Sequence, residues 1–153
     1  MIRKLALLIA AAAAVNGCAT RMDAATDTRG WFFNNEGEVK LAYGTPQSDD
    51  APLMLYCTPR SGQVTLSQSA LRPGDGVTIA AGGQKSTFHG ESQPDQLNGG
   101  TIVTAQAPIG APVLNAFRST GRLAIEERGR QTVLTATPAE RAQIEQFFAS
   151  CSA

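Results

Sequence analysis

Leu53-Met54-Leu55-Tyr56-Cys57-Thr58-Pro59-Arg60-Ser61-Gly62-Gln63-Val64-Thr65-Leu66-Ser67 is the stretch whose reading decides the fold. Leu53, Leu55 and Cys57 fall on one face of an extended segment, because successive side chains of a strand point to opposite faces. Residues 63–67 mirror that segment across Thr58-Pro59-Arg60-Ser61-Gly62, a connection of hairpin length with glycine near its end. The stretch therefore predicts an antiparallel pair with one buried face.

The same grammar recurs on both sides of it. Trp31-Phe32-Phe33 forms the densest aromatic cluster, and Val39, Leu41 and Tyr43 alternate with Lys40 and Ala42 in a half-buried strand. Downstream, Gly74-Asp75-Gly76 turns into Val77-Thr78-Ile79-Ala80-Ala81, and Gly82-Gly83 turns again into residues 85–89. After a polar loop at 93–100, residues 101–107 form another Thr/Val strand. Leu123-Ala124-Ile125 and Thr132-Val133-Leu134-Thr135 flank Glu127-Arg128-Gly129-Arg130, a third hairpin with a charged tip. Two stretches follow a helical period instead. Val113, Leu114 and Phe117 begin behind Pro112 and stop before Gly121, which suits a left-handed C-terminal cap. Thr137-Pro138-Ala139-Glu140 is a capping box opening a helix with the apolar stripe Ile144, Phe147, Phe148 and Cys151, with Arg141 and Glu145 spaced to pair on its wet side. The expected class is α+β and β-rich: a small antiparallel β-sandwich or barrel of about 7 to 9 strands, one short helix, and a C-terminal helix packed on the sheet.

The amino terminus obeys different rules. Arg3 and Lys4 precede an apolar run at 5–15, and Gly17 precedes Cys18. That order of charge, apolar run and small residue is the grammar of a signal peptide, and the run is too short for the roughly 20 residues a membrane-spanning helix needs. Val15-Asn16-Gly17-Cys18 resembles the lipobox of bacterial lipoproteins, from which Asn16 departs, since a small residue is usual at that position. The resemblance implies cleavage before Cys18, a diacylglycerol thioether on its sulfur, and attachment to membrane lipid through it. Ala19 is not the aspartate that retains enteric lipoproteins at the inner membrane, so the implied address is the outer membrane, facing the periplasm. An ordinary secretory signal cut after Ala19 would instead give a soluble periplasmic or secreted protein. The domain plan is thus a lipoprotein signal peptide at 1–17, a polar tether at 18–30 spanning roughly 20 Å, and one globular domain at 31–153.

Three cysteines are present. If Cys18 carries lipid, Cys57 and Cys151 remain, and an oxidising compartment then permits a single intramolecular bridge. The competing reading, a redox thiol, lacks a C-x-x-C pair, and the only histidine is His89.

Few residues invite chemistry. Asp49-Asp50 reads as a turn, whose aspartates bond their own backbone, rather than as a pair of catalytic carboxylates. His89 alternates with Lys85 and Thr87, opposite Phe88, and has no second histidine for a metal. A hydrolase would have to draw on Asp49, Asp50, His89 and Glu127. The aromatic triplet reads most simply as the edge of the core and Arg60 as a solvated arginine at a hairpin tip; the functional alternative makes Trp31, Phe32 and Arg60 candidate partner contacts. No metal site or cofactor is expected. The formal net charge of the 153 residues is zero, and the arginines are scattered, so the basic stripe that nucleic acid demands is missing.

The order Tyr43-Gly44-Thr45-Pro46, Asp49-Asp50, residues 53–57, Ser61-Gly62-Gln63-Val64 and Phe147-Phe148-Ala149-Ser150-Cys151 resembles uncharacterised exported proteins of alphaproteobacteria. The general shape is also similar to the small β-barrel lysozyme inhibitors, many of them lipoproteins, whose loop motif does not align here. The expected function is that of a lipid-anchored, non-enzymatic envelope protein that binds or buttresses another envelope protein or a cell-wall component. The alternative is an inhibitor of lysozyme or another cell-wall hydrolase.

Overall fold

A computed structural model describes residues 28–153, so the signal peptide, Cys18 and most of the expected tether lie outside the described residues. The chain forms nine strands and two helices: β1 (Gly30–Asn34), β2 (Val39–Gly44), β3 (Leu53–Cys57), β4 (Gln63–Ala70), β5 (Gly76–Ala81), β6 (Gln84–Pro94), β7 (Thr101–Pro108), α1 (Pro112–Thr120), β8 (Arg122–Glu127), β9 (Arg130–Thr135) and α2 (Pro138–Cys151). All pairings are antiparallel, in the order β1-β2-β3-β4-β7-β6-β5-β8-β9. The result is a nearly closed, barrel-like sheet, in agreement with the β-rich α+β expectation.

The hairpin that opened the reading pairs Leu55 with Leu66 and Tyr56 with Thr65. Leu53, Leu55, Val64 and Leu66 are buried on its inner face, as the alternation requires. Two-residue turns close the other two hairpins, at Gly82-Gly83 and Arg128-Gly129, each with positive φ at both positions. That is the geometry whose twist matches the flanking strands.

Strand β6 is longer than its sequence suggests, running through what reads as the start of a polar loop. Its first half pairs with β5 and its second half with β7, so one strand serves two neighbours in turn. At the changeover stands Gly90, where a Cβ would collide with the carbonyl oxygen of Thr104. Only glycine lets the neighbouring backbone approach so closely. Strand β4 likewise runs beyond Ser67 to Ala70, because β7 offers it partners along its whole length.

Both helices pack on the sheet. Trp31, Phe117 and Phe148 meet in the core, the Trp31 and Phe117 ring centroids 4.8 Å apart and those of Phe117 and Phe148 6.2 Å apart. Helix α2 also covers the edge of β1: Gln143 Oε1 accepts the Phe33 backbone N–H at 2.9 Å, satisfying a donor that no neighbouring strand would reach. Its start is the expected capping box, with Thr137 Oγ1 accepting from the Glu140 N–H and Glu140 Oε2 accepting from the Thr137 N–H. Thr137→Ala is expected to cost about 1 kcal/mol in a denaturant titration, with the melting cooperativity unchanged.

Two expectations need correction. Glu145 does not pair with Arg141 along α2 but with Arg118 of α1, at 2.7 Å, because the helices lie close enough for a fork-shaped guanidinium to bridge them. Arg141 reaches the carbonyl of Ser119 instead. The Arg118 guanidinium holds the Glu145 carboxyl below its ordinary range, so the favourable contribution of this pair is present above that range and fades on acidification. Trp31 belongs to the core, as the simpler reading of the triplet has it, and the partner-contact alternative fails for it: it is 2% exposed, because the inner face of β1 meets α1 and α2 there. Its Nε1 is buried without a hydrogen-bond partner among the described residues.

The disulfide joins Cys57 at the end of β3 to Cys151 at the end of α2, with 5.9 Å between Cα atoms. Arg60 N–H to Ser150 O and Gly62 N–H to Cys151 O, at 2.9 and 3.0 Å, fasten the β3–β4 loop to the same helix end.

Candidate basic cleft at the mouth of the barrel

Strand direction places the beginnings of β1 and β3 and the ends of β2, β4 and β6 at one end of the barrel. The chain enters the fold there, at Gly30, and a cleft of about 500 Å³ opens at the same end. Arg29 beside β1 and Arg130 and Thr132 of β9 both line it, so the two outermost strands of the sheet contribute to one opening.

Its floor follows from the strand period. Val64 and Leu66 point inward from β4, so Gln68, two residues on, does too, and it is 4% exposed. The Gln68 carboxamide makes no side-chain hydrogen bond with a described residue, and it lines both this cleft and the crevice continuous with it toward Gly74 and Thr78. Gln68 is not among the fully buried partnerless polar groups, so its amide atoms face the opening and can meet a partner there.

The walls carry Arg29, Arg72, Arg128 and Arg130. Among the described residues, Arg72, Arg128 and Arg130 form no ion pair. Two carboxylates lie nearby and both are engaged. Glu127 Oε1 accepts the Leu71 N–H at 2.9 Å, and Glu126 Oε2 accepts from Lys85 Nζ at 2.6 Å. The Lys85 ammonium, helped by Gln131, keeps the Glu126 carboxyl below its ordinary range, so it remains charged and paired. Chemically the arrangement suits an anion, for which planar guanidinium forks supply paired N–H donors. Arg72 sits in the segment after β4 that Ser92 pins by accepting from the Gly74 N–H at 2.9 Å.

Arg128 occupies the first position of its two-residue turn at φ 54°, where asparagine or aspartate is the favoured L-residue. Arg128→Asn is therefore expected to raise the unfolding free energy by about 0.5 to 1 kcal/mol in a denaturant titration, while removing a guanidinium from the mouth.

The sequence-expected groups fall at several places on the barrel. Asp49 and Asp50 line a crevice that adjoins the cleft at Pro52 and Ser69, held by a turn in which Thr45 Oγ1 donates to Asp50 Oδ2. Neither Glu127 nor His89 is part of that lining. His89 is exposed on β6, opposite Gly76. Phe32 is half-buried, and Arg60 is exposed at the far end of the barrel beside the disulfide. Among the described residues, no three His, Cys, Asp or Glu side chains cluster as metal ligands, and no helix is long and apolar enough to cross a membrane.

The cleft itself was not legible in the sequence beyond the charged tip of the third hairpin. Two signals could have marked it: an arginine where a two-residue turn favours asparagine, and Gln68 in the inward register of Val64 and Leu66. Comparison with known proteins finds no matching family model, no matching curated protein and no matching solved structure.

Proposed function

We propose that the chain is a lipid-anchored protein of the cell envelope, held at the periplasmic face of the outer membrane through an acylated Cys18, and that its barrel domain binds or buttresses an envelope component without catalysing a reaction. The observation that carries this reading is the Cys57–Cys151 bond. Of three cysteines it uses two, which leaves for lipid the one that stands in the lipobox-like segment. A disulfide between buried cysteines also fits a chain exported to an oxidising compartment.

The anchor has the physical strength the role needs. Each buried methylene contributes about 0.8 kcal/mol, so two or three acyl chains hold a domain of this size at a membrane. The cleft supplies a binding surface. Growth with a clickable fatty acid tests the anchor: the chain should take up label, and Cys18→Ser should abolish it. Pulldown from solubilised envelopes tests the binding role. Recovery of no envelope component, together with an unaltered envelope in a deletion strain, contradicts it.

A further inference from the structure

We infer that the arginine-lined mouth binds the phosphate of an anionic lipid headgroup and that this end of the barrel rests on the membrane surface. The inference deepens the lipid-anchored reading and takes from it only the attachment at Cys18.

Three features of the described residues, and the position of Cys18 in the sequence, converge on the same end. The first is charge: Arg29, Arg72, Arg128 and Arg130 surround a cleft of about 500 Å³, a size that admits a phosphoglycerol headgroup. The second is the floor, where the Gln68 carboxamide, 4% exposed and without a side-chain partner among the described residues, offers a donor to an oxygen seated between the guanidinium groups.

The third is apolar. Leu71 and Leu97 are the two most exposed large hydrophobic side chains, at 83% and 82%. They project from neighbouring loops: the backbone of Gly100, which closes the turn bearing Leu97, approaches Ala70 and Leu71 closely enough that a Cβ there would clash with the Ala70 carbonyl. Asp95 braces that turn by accepting from the Leu97 and Asn98 N–H groups at 3.0 and 3.1 Å. A rigid turn that presents leucine to water beside an arginine-lined cleft has the two chemistries of a membrane interface, apolar tips below and cations at the phosphate level.

The fourth is position. Arg29 stands eleven residues after Cys18 in the sequence. Because the chain enters the barrel at this end, an acyl anchor at Cys18 would join the domain on the side of the cleft.

The carboxylates define how the site works. Asp49 and Asp50 stand on the neighbouring loop, outside the cleft lining, and Glu127 is the carboxylate within it. With Glu126 in the continuous crevice and Asp95 at the base of the Leu97 turn, the face as a whole is mixed in sign, and its arginines gather around the cleft. That pattern seats one headgroup at a defined place; a uniformly basic surface would instead attract a leaflet diffusely.

The test uses the mature chain with Leu71→Trp as a reporter, prepared acylated and, separately, with Cys18→Ser and without residues 1–17. Vesicles of phosphatidylethanolamine with phosphatidylglycerol are compared with vesicles of phosphatidylcholine. In the acylated chain, tryptophan emission at position 71 should shift to the blue and be quenched by brominated acyl chains, more strongly in the anionic vesicles. In the Cys18→Ser chain the same shift should appear on addition of anionic vesicles. Arg72→Gln, Arg128→Gln and Arg130→Gln should each weaken its vesicle affinity about fivefold, and roughly a hundredfold together. Circular dichroism on the triple variant confirms that the barrel persists. Equal behaviour in both lipids, or arginine variants that bind as the parent does, overturns the proposal. Release from anionic vesicles by millimolar inorganic phosphate reassigns the site to a free anion and overturns the membrane part. Failure of acylation with a preserved shift in the Cys18→Ser chain would sink the anchor and spare the cleft.

Discussion

Replacing Cys57 and Cys151 together by serine is expected to lower the unfolding free energy by about 4 to 5 kcal/mol, read by urea titration of the two proteins under identical conditions. The bond joins residues 94 positions apart, so breaking it releases nearly the whole barrel from a constraint on its unfolded chain. Both cysteines are also buried, at 4% and 0% exposure, and serine would place two hydroxyls where the surroundings are apolar. The backbone bonds of Arg60 and Gly62 to the end of α2 lose their anchor at the same time. Reduction of the parent protein with a thiol reagent should reproduce most of the loss. For a domain whose total stability is typically 5 to 15 kcal/mol, the difference decides whether the fold survives warming.

Phe117→Ala should cost about 3 to 5 kcal/mol in the same measurement. Phe117 is fully buried, one face of its ring against Trp31 of β1 and an edge against Phe148 of α2, so it is the side chain by which the short helix joins the sheet to the long one. Removing it opens a cavity that three separate elements would have to shift to fill. Phe117→Leu, which keeps most of the volume, should cost less than half as much. Equal losses for the two variants would mean that the aromatic cluster is not where the helices are held.

Most of the fold was legible because local chemistry and the strand period agree in this chain. Glycine pairs or Arg128-Gly129 stand where hairpins close, Gly121 stops α1 in the left-handed region, and Thr137 with Glu140 starts α2. What stayed hidden required knowledge of neighbours. Nothing local in residues 90–94 says that they leave one partner strand for another, because that depends on β7, which comes later in the chain. Ending β4 at Ser67 left Gln68 looking like a loop residue, when its register makes it the floor of the cleft. The strand period divides the aromatic triplet: Trp31 and Phe33 share the face toward the core, Trp31 buried and Phe33 packed against it, while half-buried Phe32 points the other way. The cleft is the extreme case. Its arginines come from positions 29, 72, 128 and 130, and only closure of the barrel brings them around one opening.

Mass spectrometry of the intact protein from native membranes, before and after reduction, bears most directly on the claim that one cysteine holds the lipid and the other two hold each other. The expected polypeptide begins at Cys18, carries the mass of a diacylglycerol thioether, and reacts with a thiol reagent only after reduction, at Cys57 and Cys151. An unmodified amino terminus, or a thiol at Cys57 or Cys151 that reacts without reduction, contradicts it.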